Sequence, residues 1–235
     1  MTPAVLASVM EATWPCAGRQ TLGPWTIRDG QGGGKRVSAA TAEGDWKAAD
    51  LPMAEAAMLG LGQTPLFLIR GGDQALDAAL EVAGYHVVDP VLAYAARIAD
   101  LPPAPDPMAV FAHWPPLAMA VELWRDAATG PARLAVMDRV QGSKAVLLAR
   151  HSDRAVGVGF VAISGQTAML HALEVAPAHR RQGSAHNMLR AAAAWAQSQG
   201  ADTLSLVVTR ANVPALNLYA SLGMQVVGQY QYRQK

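Results

Sequence analysis

Apolar residues recur along this chain with two periods, and glycines and prolines mark where one period gives way to the other. In the first hundred residues, 25–28 and 36–40 read as short strands around a Gly-rich turn, 53–60 as a helix, and 65–70 (PLFLIR) as a strand. A helix over 74–83 is closed by Gly84, and 86–98 reads as one or two further strands. Residues 101–107 hold four prolines in seven positions, which neither a helix interior nor a central strand tolerates. This segment is the expected linker between a module at 1–100 and a domain at 108–235. Past it, 117–127 and 132–140 read as helices, and 145–150 with 156–163 as a strand pair across His151-Ser152-Asp153. There follow a strand at 169–175, an Ala-rich helix at 183–199, a strand at 204–209, a helix at 213–222 stopped by Gly223, and a last strand at 225–232. The expected class is α+β. A short echo, Leu80-x-x-x-Gly84-Tyr85 against Tyr219-x-x-x-Gly223-Met224, raises the possibility of a degenerate duplication.

Composition narrows the function classes. With 51% apolar residues the chain can build a substantial core, and 19 basic against 18 acidic residues leave no basic stripe for a phosphate backbone. No nucleic-acid partner is therefore expected. The lone Cys16 cannot form an internal disulfide, which fits a reducing cytoplasm. Residues 1–18 lack a basic start and a long apolar core, and no apolar run reaches the roughly 20 residues of a bilayer span. A soluble cytoplasmic protein with no membrane partner is expected. Six scattered histidines lack metal-ligand spacing, so no metal is expected. Gly30-Gln31-Gly32-Gly33-Gly34-Lys35-Arg36 has the flavour of a phosphate loop, but Arg36 stands where a Mg²⁺-binding hydroxyl belongs, and a hairpin turn is the better reading. Trp14, Trp25 and Trp46 read as core or interface.

Chemistry concentrates in Leu173-Glu174-Val175-Ala176-Pro177-Ala178-His179-Arg180-Arg181-Gln182-Gly183-Ser184-Ala185, a strand that runs through a turn into a helix. The first N–H groups of a helix lack intrahelical partners and sit at the positive end of its dipole, so this junction offers an anion nest. Gly183 and Ala185 leave room for a pyrophosphate, and Arg180 and Arg181 add charged donors. One strand downstream comes Asn212-x-x-Ala215-x-x-Leu218-Tyr219-x-x-Leu222-Gly223. Asn212 serves as a helix cap and Gly223 as a left-handed stop, while Tyr219 has no such local use.

Together, in this order and about 30 residues apart, the two segments resemble the signature of the GNAT superfamily of N-acetyltransferases. Residues 25–98 resemble a module fused to some GNAT domains, without the nest and with Leu80 in place of the tyrosine. The resemblance implies a GNAT fold: a mixed, mostly antiparallel sheet splayed between two strands and flanked by helices, in tandem with a smaller degenerate GNAT-like unit. It implies acetyl-CoA as acyl donor. Leu173, Glu174 and Val175 would meet the pantetheine, and Arg180, Arg181, Gln182, Gly183, Ser184 and Ala185 the pyrophosphate. Asn212 would touch the CoA arm, and Tyr219 would protonate the leaving thiolate. Two positions depart from the pattern: Met224 replaces a phenylalanine and Ser184 an apolar residue.

The acceptor amine needs a base, for which His171 is the first candidate and Glu174 the second. The strand at this point also resembles that of serotonin N-acetyltransferase, which favours His171. Strict alternation would set His171 on one face with Leu173 and Val175, and Glu174 on the other. A water chain or self-ionising substrate stays open. The expected activity is direct attack of a primary amine (a small amine, an amino acid or a peptide N-terminus) on the thioester. The rival is an acyl-CoA sensor without turnover. A homodimer stays open.

Overall fold

The sequence pattern assigns no element to residues 1–18, yet the computed structural model, which describes all of residues 1–235, opens on a helix, α1 (Pro3–Thr13). Thr2 caps it by accepting from the Val5 N–H, and Pro3 sits in the first turn, where an N–H has no intrahelical use. The first half continues with β1 (Gly18–Leu22), β2 (Trp25–Asp29), α2 (Lys35–Ser38), β3 (Thr41–Ala42), α3 (Leu51–Gly60), β4 (Leu66–Arg70), α4 (Gln74–Val82) and β5 (His86–Arg97). The second half holds β6 (Val110–His113), α5 (Ala118–Asp126), α6 (Pro131–Arg139), β7 (Lys144–His151), β8 (Arg154–Ser164) and β9 (Thr167–Val175). It ends with α7 (Ser184–Ser198), β10 (Thr203–Thr209), α8 (Val213–Ser221) and β11 (Gln225–Gln234). No helix is long and apolar enough to cross a membrane.

One expected strand is wrong. Residues 36–40 do not extend: Gly34 at φ 103° turns the chain into α2, and the Ser38 hydroxyl bonds back to the Gly34 carbonyl at 3.1 Å. The turn drops Val37 into a core with Val136, so burial overrides the β-prone pattern. β1 and β6 are further strands that the pattern does not assign.

The strands form a small sheet, β1-β2-β3, and a large one in the order β4-β11-β5-β10-β9-β8-β7-β6. In the large sheet every pairing is antiparallel except that of β9 with β10, so the sheet is mixed and mostly antiparallel. Helices α7 and α8 cover one face over a 22-residue core. The other face carries α1 over Met169 and Tyr230, and α5 and α6 over Val146, Val158 and Phe160.

The tandem architecture is visible in the order of elements, since β2-β3-α3-β4-α4-β5, with α2 inserted between its first two strands, repeats as β8-β9-α7-β10-α8-β11. The parallel contact recurs too, as one bridge between Ala40 and Phe67. The helix stops match bond for bond: the Tyr85 N–H donates to the Leu80 carbonyl at 2.9 Å, and the Met224 N–H to the Tyr219 carbonyl at 3.1 Å. Each half lends its last strand to the other. β5 lies between β10 and β11, and β11 lies between β4 and β5.

Candidate active site

The parallel pairing of β9 with β10 runs only from Thr167↔Thr203 to Leu170↔Leu206. Beyond it β9 continues to Val175 and β10 to Thr209, so a wedge opens between 171–175 and 207–209. The β9 edge along the wedge includes the backbone of Leu173, Glu174 and Val175.

At the end of β9, Pro177 stops the strand and a loop leads into α7 with Arg181 at φ 63° and Gly183 at φ 87°. No side chain caps α7. The first helical bond runs from the Asn187 N–H to the Gly183 carbonyl, and the N–H groups of Gln182, Gly183, Ser184, Ala185 and His186 donate to no protein acceptor. Arg180 bonds the Val175 carbonyl through Nε at 3.1 Å, and Arg180 to Gly183 are exposed while Ser184 is buried. This row of free amides with two arginines suits an anion.

Tyr219 projects from α8 into the core on the α7 side, with its ring 5.6 Å from that of Tyr94. Its hydroxyl has no partner in the protein, yet it is not sealed from solvent. Burial, then the nearby charge of Glu174, pushes the phenol up to about 12, so it keeps its proton at neutral pH. Asn212 is exposed and caps α8, accepting from the Ala215 N–H at 3.2 Å.

The alternation expected along β9 breaks at a bulge. His171 pairs with Phe160 but Glu174 with Val158, so Ala172 and Leu173 together oppose Gly159. Ala172 sits at φ 47°, and its carbonyl accepts from Trp124 Nε1 at 2.8 Å. The extra residue puts Leu170, Leu173 and Val175 together in the α7-side core. A Cβ on Gly159 would lie 3.4 Å from both Leu170 and Leu173, which agrees. The expectation that His171 and Glu174 face opposite ways is thereby overturned: Glu174, between Leu173 and Val175, turns to the His171 side.

On that side His171 is buried and fully engaged. The Thr13 hydroxyl donates to the Val9 carbonyl at 2.6 Å, so His171 Nε2 donates to Thr13 Oγ1 at 2.9 Å. That leaves Nδ1 as acceptor from Arg36 Nη1 at 3.0 Å. Burial, then the Arg36 charge, holds the imidazole well below its ordinary value. Glu174 is half-buried, and burial raises its carboxyl against the opposing pull of Arg180 and Arg133.

A first half that packs on the second and shapes the acceptor pocket is expected from the sequence, but the sequence names no residue of it for that role. Trp14, Arg36 and Tyr230 line both the wedge mouth, a cavity of about 230 Å³, and a larger one of about 500 Å³ beneath α1. The Gly-rich run at 30–34 packs Gly33 and Gly34 against the mouth. The corresponding wedge of the first half is plugged. Arg70 reaches the Ala42 carbonyl at 2.6 Å and the Glu43 and Asp73 carboxylates at 3.1 and 3.2 Å.

Residues 107–224 match the model of the acetyltransferase (GNAT) family. An uncharacterised N-acetyltransferase of Bacillus subtilis, YobR, is 24% identical over 239 residues, covering 95% of each chain. A GCN5-related N-acetyltransferase from Kribbella flavida superposes with a TM-score of 0.69 at 19% identity, covering 100% of this chain and 96% of that one. A tandem GNAT protein from the clavulanic acid biosynthesis pathway superposes at 0.62 with 14% identity, over 84% of this chain and 74% of its own. With its splayed β9–β10 pair, the uncapped nest at Gly183 and a matched family model spanning half its length, the chain belongs to the GNAT family of acetyltransferases.

Proposed function

We propose that the chain transfers an acetyl group from acetyl-CoA to a primary amine by direct attack. The observation that carries this reading is the row of free amides from Gln182 to His186 at the foot of a wedge whose edge residue Glu174 lies near enough to Tyr219 for its charge to act on the phenol. Acetyl-CoA supplies the acyl group as a thioester; the C–N bond forms as the C–S bond breaks. Arg180, Arg181 and the 182–186 amides would hold its pyrophosphate, and the β9 edge at Leu173, Glu174 and Val175 its pantetheine arm. Asn212 borders that arm.

Glu174 is the base in this reading. Its raised carboxyl takes the proton from the ammonium form of the acceptor, at an acidity closer to neutrality than an exposed glutamate offers. His171 has no free lone pair while Arg36 stays in place, and it acts as a positioning residue. Tyr219 keeps its proton until it is given to the departing sulfur. We further propose that 1–100 and 108–235 are two GNAT-like units joined by the Pro-rich segment 101–107, of which the second binds the donor.

Thiol release from acetyl-CoA against a panel of amines tests the reading. Wild type should release thiol, and Tyr219→Phe should lose about 100-fold or more in rate while still binding CoA. CoA binding with no turnover on any amine would instead favour the sensor.

A further inference from the structure

Six basic side chains line the wedge mouth and the hollow beneath α1, and four of them have carboxylate partners. Arg19 and Arg28 share Glu11, Arg70 takes Glu43 and Asp73, and Lys35 takes Asp89. Arg36 and Arg133 have none, and both face the mouth. The position of Arg36 is the telling one, because it lines both cavities at their junction.

Its guanidinium is held without being neutralised. Nη1 rests on His171 Nδ1, a neutral acceptor given the tautomer that Thr13 imposes, and the carbon of the guanidinium lies 5.9 Å from the Trp14 ring. Nε is sealed from solvent with no partner at all, and Nη2 donates to nothing in the protein. A half-buried cation left without a counter-charge is costly, and a carboxylate that reaches Nη2 would supply one. Beyond Arg36 the hollow offers an apolar wall of Leu6, Ala7, Met10, Leu68 and the Tyr230 ring, beside the charges of Arg19, Arg28 and Arg70 that Glu11 and Asp73 neutralise. On the other side, Glu174 shares a face of β9 with His171, one bulge away.

We propose that the acceptor is a free amino acid with a large apolar side chain. Its carboxylate sits on Arg36, with Arg133 at the opposite rim, its amine turns to Glu174, and its side chain fills the hollow under α1. The inference rests on acetyl transfer at the wedge and adds the acceptor class. His171 is a positioning residue here, since it orients the guanidinium without discharging it.

The test measures kcat/KM by thiol release for leucine, methionine and phenylalanine beside their amides and their decarboxylated amines. Hydrogen bonds to a charged partner correspond to roughly 10- to 100-fold, and the free acids should lead by that factor in wild type. Arg36→Gln should level the three forms mainly through KM, Arg36→Lys should keep part of the preference, and glycine should be a poor acceptor. Equal rates for acid, amide and amine in wild type would overturn the inference and leave acetyl transfer standing, whether or not Arg36→Gln folds. A preference that survives in folded Arg36→Gln would also overturn it. No thiol from any amine would remove acetyl transfer, and this inference with it.

Discussion

Replacing His171 by glutamine should make the stability of the protein less sensitive to mild acid. The folded chain holds this imidazole neutral, buried among Trp14, Phe160 and Arg36, while the unfolded chain exposes it at its ordinary value near 6.5. Above that value both states are neutral and the histidine costs nothing. As pH falls below it, the unfolded state takes up a proton that the folded state refuses, so stability drops until the depressed folded value is reached. Between about pH 7.5 and about pH 5.5 one such group removes about 1.4 kcal/mol. Glutamine can still donate to Thr13 and accept from Arg36 but does not titrate. Urea unfolding of both proteins at the two pH values isolates the effect, because carboxylates and the other histidines contribute equally to each and cancel. The difference between the two pH dependences should be about 1.4 kcal/mol. Identical slopes would refute the buried, neutral assignment, and with it the argument that His171 is spoken for and that Glu174 must do the proton transfer.

The acid limb of kcat/KM should lie above the ordinary carboxylate range, because burial raises Glu174, and the rate should climb with pH as the base form appears. Glu174→Gln should abolish that limb and cost about 100-fold or more in a pH–rate profile. Gly183→Ala should cost about 1 kcal/mol in urea unfolding, since φ 87° strains any Cβ, and it should raise KM for acetyl-CoA more than it lowers kcat. Calorimetric titration should find one acetyl-CoA per chain. The first half offers Arg70 as a plug and the carboxylates of Glu43, Asp45 and Asp50 where the second half offers free amides, so two donors per chain would refute this account.

Much of the fold was legible where its signals are local. Gly223 and Gly84 stop helices by occupying the left-handed region, and Ser152-Asp153, both at positive φ, close a two-residue hairpin where the sequence placed the turn. The nest and Tyr219 could be found because backbone geometry and sequence order coincide there. The bulge could not: Ala172 adopts φ 47° with neither a glycine nor an asparagine to announce it, and it is held by Trp124, 48 residues away. For the same reason the face of Glu174 was misplaced. The contact of Arg36 with His171 was hidden too, since it spans 135 residues of sequence. Interleaved strands leave no trace in local periodicity, because alternation reports that a strand has a buried face and not which strand lies beside it.

That interleaving has a consequence for how the chain is made. β4 and β5 both need β11 as a neighbour, and β11 is synthesised long after either of them. At usual rates of synthesis, Arg70 waits roughly 10 to 30 s for its partner Tyr230 to appear. Over that interval the nascent chain carries open strand edges, which makes it a client for chaperones at the tunnel exit and exposes any truncated product to aggregation.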